Sequence, residues 1–120
     1  MILVDTSVWI DHFRASNRML GKLLDDGQVL VHPFVLGEIA CGDLRNRKEI
    51  VALMQALPTA PKASDHEILF FIEQRGVMGR GVGLIDIHLL ASCLMQPCRL
   101  WTADRRLRPI AEEMDTAFDS

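Results

Sequence analysis

Four acidic residues, Asp5, Glu38, Asp86 and Asp104, occupy settings that would bring their carboxylates to one place. Asp5 closes the apolar run Ile2-Leu3-Val4 and is followed by Thr6 and Ser7. Glu38 lies among Phe34, Val35, Leu36, Ile39 and Ala40, an apolar stretch with helical spacing. Asp86 opens the run Asp-Ile-His-Leu-Leu-Ala-Ser, and Asp104 ends the segment Leu100-Trp-Thr-Ala-Asp. Strands that finish in Asp-Thr-Ser and in Thr-Ala-Asp aim carboxylates off the carboxyl edge of a sheet. In open α/β sheets that edge binds ligands, at the point where strand order reverses. Carboxylates converging without a basic partner repel one another, and a divalent cation among them removes the repulsion. Taken singly, each Asp precedes a helical segment and would serve as its N-cap. Glu38 alone would be a solvated helix residue, although its apolar neighbours leave the charge in want of a partner. The ordered set of four is what points to a magnesium site.

The motifs Met1-Ile-Leu-Val-Asp-Thr-Ser-Val-Trp-Ile-Asp11, Leu36-Gly-Glu-Ile-Ala-Cys-Gly42, Gly83-Leu-Ile-Asp-Ile-His-Leu-Leu-Ala91 and Leu100-Trp-Thr-Ala-Asp-Arg-Arg-Leu107 span essentially the whole chain. With them the sequence resembles the PIN-domain ribonucleases, and among these the VapC toxins of type II (VapBC) toxin–antitoxin pairs. The resemblance implies that Asp5, Glu38, Asp86 and Asp104 ring a metal site, with Thr6, Ser7 and Thr102 supporting it from behind. It departs from the family pattern where Asp104 is followed by Arg105-Arg106 rather than a further acid, and in the glycine-rich loop 76–83. Mg²⁺ takes octahedral oxygen coordination and keeps several waters, so only one or two carboxylates bind it directly. Resemblance and strand position assign that role to Asp5 and Asp86. Glu38 and Asp104 then bind through water or complete a second metal position, and Mn²⁺ is an acceptable substitute. Such an ion lowers the pKa of water and aligns it for in-line attack at phosphorus, leaving a 5′-phosphate and a 3′-hydroxyl. The resemblance further implies a structured RNA substrate (tRNA or ribosomal RNA), inhibition of translation and growth, a cognate VapB-like antitoxin and a homodimer.

Two other readings stand beside this one. A PIN-domain nuclease of RNA processing, without a toxin role, would carry the same acids. A receiver-like phosphoacceptor domain also binds Mg²⁺ in an acidic pocket. That pattern requires paired acids after the first strand and a late lysine, whereas Asp5 is followed by Thr6-Ser7 and the lysines are Lys22, Lys48 and Lys62.

The remaining polar candidates are weaker. His88 lies two residues beyond Asp86, but residues two apart on a helix point to different sides, so a packed or surface histidine is the reading. His12, His32 and His66 share no motif. Ser7 has no histidine placed to activate it as a nucleophile and is assigned to support of Asp5 or to a cap. Trp9 and Phe13, four apart, read as core residues or as the apolar anchor of an antitoxin groove.

Composition agrees with one α/β domain. The 120 residues are long enough to bury a core, 49% of them are hydrophobic, and no run is apolar enough to span a membrane. The opening residues lead straight into Asp5 without a cationic segment, against a secretory signal. Cys41, Cys93 and Cys98 lack metal-finger spacing and read as reduced thiols of a cytoplasmic protein. A net charge of −3 is unusual for a nucleic-acid enzyme. The basic residues are clustered, however: Arg45, Arg47 and Lys48; Arg75 and Arg80; Arg99, Arg105, Arg106 and Arg108. An acidic pit rimmed by arginines suits a phosphodiester, although part of this set would be ordinary solvated helix face.

Positioning these residues falls to alternating strands and helices, hence a three-layer α/β/α PIN-like domain with a central, mainly parallel sheet. Strands are expected at Ile2–Val4 (central), Val29–Val31 and Arg99–Thr102, with Ala117-Phe118 as an edge strand. Helices are expected at Ser7–Phe13, Asn17–Leu24, from Pro33 through Glu38, Glu49–Leu57, from Ser64-Asp65, Leu84–Met95 and Arg106–Met114. Ile50, Val51, Leu53, Met54 and Leu57 would form the buried side of one helix, and Ile68, Leu69, Phe71 and Ile72 that of the next.

Overall fold

A computed structural model describes residues 1–119. The run Ile2–Val4 forms the first strand, β1, buried throughout. Uninterrupted apolar strands of this kind belong to parallel sheets covered on both faces. Val29–Leu30 (β2) and Arg99–Trp101 (β3) flank it, giving the order β2-β1-β3 with all strands parallel. The register pairs Ile2 with Val29 on one side and with Arg99 on the other. Consecutive strands thus lie beside β1 on opposite sides, and the strand order reverses at the carboxyl end of β1, where Asp5 stands. Val31 and Ala117 each add one parallel bridge, to Thr59 and Leu100 respectively. Ala117-Phe118 is therefore a bridge at the sheet edge rather than a full strand.

Among the described residues seven helices surround the sheet: α1 (Thr6–Arg14), α2 (Arg18–Asp25), α3 (Pro33–Cys41), α4 (Arg47–Gln55), α5 (Asp65–Arg75), α6 (Leu84–Met95) and α7 (Leu107–Glu113). Their starts follow local chemistry. Asn17 accepts a hydrogen bond from Leu20 N at the start of α2, and Pro33 occupies the first turn of α3. Ser64 and Glu67 form a reciprocal capping box on α5, whose end is closed by Gly76 in the left-handed region (φ 59°). α4 begins two residues earlier than expected, after Asn46 turns the chain with φ 60°, and it stops at Gln55. There Ala56 N and Leu57 N reach back three residues, to Leu53 O and Met54 O, tightening the last turn.

The core joins all three strands to α6, in which every residue from Ile87 to Cys93 is buried. Two expected core positions face outward instead: Leu53 on α4 is 70% exposed and Leu69 on α5 is 65% exposed, beside Phe70 at 63%. Helical spacing marks an apolar face but not what covers it. Among the described residues no helix is long and apolar enough to cross a membrane.

Candidate metal centre

The carboxyl ends of β1 and β3 and the first turns of the helices around them enclose a pit of about 640 Å³, lined by Asp5, Thr6, Ser7, Glu38, Asp86 and Asp104 together with Ile10, Ala103 and residues 83–85. All four acids predicted from sequence are brought together there. Asp5 is buried; Asp86 is half-buried; Glu38 and Asp104 are exposed on the pit walls.

Each acid is held by a short network. Asp5 Oδ1 accepts from Thr6 N at 2.7 Å and Oδ2 from Thr102 Oγ1 at 2.7 Å. Thr102 Oγ1 in turn accepts from Asp104 N at 3.0 Å, so one buried hydroxyl ties the ends of β1 and β3 together. Thr6 Oγ1 donates to Glu38 Oε1 at 2.7 Å, linking α1 to α3. Asp86 Oδ2 accepts from Gly83 N at 3.2 Å. Asp104 Oδ1 accepts from Arg106 N and Leu107 N, at 2.7 and 3.2 Å, and so caps α7. Capping and converging are therefore compatible, since a carboxylate has two oxygens. Glu38 Oε2, Asp86 Oδ1 and Asp104 Oδ2 accept nothing among the described residues.

The electrostatics are those of an unbalanced site. Burial pushes the Asp5 carboxyl above its usual range, the bonds from Thr102 and Thr6 pull it back, and the charges of Glu38 and Asp104 raise it again. Asp86 is likewise raised, chiefly by burial, with Asp5, Asp104 and Glu38 adding to it against the Gly83 bond. Among the described residues none of the four acids is in a salt bridge; the ion pairs are Arg80–Glu113, Arg108–Glu112 and Arg108–Asp119. Part of the arginine rim is thus committed to surface pairing, and Arg99 to the carbonyl of Ala117. Arg106 remains beside the pit, its side chain crossing Gly81, where a Cβ would stand 2.8 Å from Arg106 Cδ.

Oxygen donors without a cation fit a hard divalent ion. Among the described residues no three His, Cys, Asp or Glu side chains are grouped tightly enough to enclose one ion directly. The fit is therefore to an ion held by one or two carboxylates and otherwise hydrated, as Mg²⁺ is.

A family model for the PIN domain matches residues 2–113. The chain belongs to the PIN-domain family. It is 41% identical over 119 residues to Ribonuclease VapC32 of Mycobacterium tuberculosis, in two strains, covering 98% of this chain and 96% of that protein. The crystal structure of PAE2754 from Pyrobaculum aerophilum shares the fold, with a TM-score of 0.68 at 15% identity over 98% of this chain and 87% of that one. This PIN domain is therefore VapC-like in sequence, and the receiver-domain alternative falls away.

Other expectations are corrected by the packing. Ser7 lines the pit, but among the described residues its buried Oγ has no hydrogen-bond partner, and the bracing seen there is that of Thr6 and Thr102. Trp9 is not an exposed anchor: it is 2% exposed and stacks on Phe13 with ring centroids 5.7 Å apart. Trp9 and Phe13 line a groove of about 290 Å³ between α1, α2 and α4, to which Leu53 also contributes. His88 is packed, edge-on to Phe34 at 4.7 Å. Cys41, a free thiol, is exposed at the end of α3. His32, to which sequence assigned nothing, is fully buried and caps the helix that carries Glu38, its Nδ1 accepting from Phe34 N at 3.0 Å. A histidine directly before Pro-Phe at a helix start was the available signal.

Proposed function

We propose that this PIN domain is a magnesium-dependent endoribonuclease and the toxin of a type II toxin–antitoxin pair, cutting structured RNA such as tRNA or ribosomal RNA and thereby halting translation and growth. The observation that carries the proposal is four carboxylates in one pit without a cationic partner, in a chain 41% identical to a ribonuclease. Asp5 and Asp86 are assigned as direct ligands of Mg²⁺, which Mn²⁺ can replace, with Glu38 and Asp104 binding directly or through water. When bound, the ion supplies water activation and neutralises charge developing at phosphorus. The chain's own contribution is positional. Thr102 fixes the Asp5 carboxylate, Thr6 fixes Glu38, and the first turn of α6 fixes Asp86. The exposed Asp104 and Glu38 face the open side, from which an RNA backbone approaches. Arg105 and Arg106 stand at that side to meet phosphates. Asp5→Ala or Asp86→Ala should abolish RNA cleavage that the wild-type chain performs in Mg²⁺ or Mn²⁺. Cleavage that survives EDTA would overturn the assignment.

The partner follows from the groove beside Trp9. An antitoxin segment with an apolar residue against Phe13 and Leu53 and basic residues reaching the pit would cover the site. Leu53, 70% exposed, is the position to test, because truncating buried Trp9 would unsettle the core. Leu53→Asp should weaken the complex with a VapB-like antitoxin by about tenfold or more while RNA cleavage by the free chain persists. Unchanged affinity in a titration would remove the groove from the interface. Leu69 and Phe70 on α5 offer apolar surface for a homodimer. The alternative, an RNA-processing nuclease without toxin activity, predicts harmless expression of the chain alone. The toxin reading predicts growth arrest, relieved by co-expressing the antitoxin of an adjacent small gene.

A further inference from the structure

Away from the acidic pit, two thiols are in contact. Cys93 lies near the end of α6 and Cys98 directly precedes β3; their Sγ atoms are 3.4 Å apart and unbonded. The turn between them, residues 94–97, is exposed, so it can shift without disturbing the sheet. A disulfide needs the sulfurs at about 2.05 Å, an approach on the order of an ångström from where they stand. A pocket of about 630 Å³, bounded also by Ile2, Pro97, Arg99 and Thr116, opens onto both sulfurs. Cys98 is 9% exposed to it and Cys93 only 2%, so a reagent of water-like size has access and a bulky one does not.

We propose that Cys93 and Cys98 form a peroxide-responsive dithiol site that closes reversibly to a disulfide. Cys98, the sulfur nearer the pocket, is the attacking group. Its hydrogen bond with Cys93 favours the Cys98 thiolate, whereas that bond and burial hold Cys93 well above an ordinary thiol. The Cys98 thiolate attacks one oxygen of hydrogen peroxide, the O–O bond breaks, and Cys98 becomes a sulfenic acid with release of hydroxide. The Cys93 sulfur then attacks Cys98 Sγ; the S–O bond breaks and the departing hydroxide takes the Cys93 proton as water. Overall, two thiols are oxidised to a disulfide and one peroxide is reduced to two waters, the second forming as the first hydroxide recovers the proton that Cys98 had lost. The bond would pin the end of α6 to the start of β3, the two elements that carry Asp86 and Thr102 at their opposite ends. The inference does not rest on the nuclease reading.

The test uses the full chain carrying Cys41→Ser, which removes the exposed third thiol. After brief treatment with hydrogen peroxide the chain is unfolded in guanidinium chloride and blocked with iodoacetamide, and trypsin then releases residues 81–99, which hold both cysteines. That peptide should carry no alkyl group when digested without reductant and two when dithiothreitol precedes the block. Two alkyl groups without reductant, under conditions that oxidise free cysteine, would overturn the proposal, as would oxygen at Cys98 that dithiothreitol does not remove. With Cys93→Ser added, Cys98 should stop at the sulfenic acid and be trapped by dimedone present as the chain is unfolded. An equal dimedone adduct with Cys93 present would show that the pair does not close. If the double variant fails to fold, the alkylation count decides alone.

Discussion

Thr102 ties two of the acidic residues together, because its hydroxyl donates to Asp5 and accepts from the backbone N–H of Asp104. It is 4% exposed. Thr102→Val keeps the shape and removes both bonds, leaving a buried carboxylate oxygen and a backbone N–H unpaired. Loss of about 1–3 kcal/mol is expected, read from urea unfolding in EDTA; a loss near zero would mean water replaces the hydroxyl. Glu38 is the opposite case. It is exposed, and Glu38→Gln retains an oxygen for the Thr6 hydroxyl while deleting one of four like charges. The metal-free variant should be at least as stable as the wild type, so a marked drop in its unfolding midpoint would show that the charge itself is structural.

Among the elements, α3 shows how a side chain invisible to motif reading controls a predicted one. Burial, with the positive charges of His88 and Lys62 behind it, pushes His32 down to about 4. The neutral ring accepts from Phe34 N through Nδ1, which leaves the proton on Nε2, a buried atom without a partner. Because the folded value lies below the ordinary 6.5, the cap's contribution is complete above pH 6.5 and declines as pH falls toward about 4. Nitrogen chemical shifts should keep His32 neutral through pH 6, and a midpoint near 6.5 would refute its capping role.

Most of the elements were legible in sequence. Ile2–Val4 and Leu84–Met95 have the expected bounds, the first because nothing polar interrupts it, the second because Gly83 and Gln96 bracket an unbroken apolar helix. What sequence could not reveal was which neighbour each apolar face meets. Leu53 and Leu69 fall at helical spacing among core residues, yet face outward, and Trp9 is buried where an anchor was one reading. The acids were legible because their types are unusual beside apolar runs. The bracing by Thr102, 97 residues from Asp5, depends on sheet order and was available only through resemblance.

For the whole molecule, the proposed metal site would tie ion binding to stability. Free Mg²⁺ at about 100 times its dissociation constant should add about 2.7 kcal/mol, roughly 10 °C in melting temperature for a domain of this size. Asp5→Ala should erase that rise, and an equal rise in the variant would place the ion elsewhere. The sheet order carries a consequence for how the chain is made. β1 is made before either of its partners, and the Thr102–Asp5 bond that braces it against β3 joins residues 97 apart. A growing polypeptide that ends before Arg99 has an open edge on β1 and two of its four acids in place with a third unbraced by β3. On the nuclease reading proposed above, such a fragment should be inactive, so activity waits until β3 has been made and has paired with β1. On the toxin reading, an antitoxin is then needed only once β3 has docked, and need not shadow the chain as it grows.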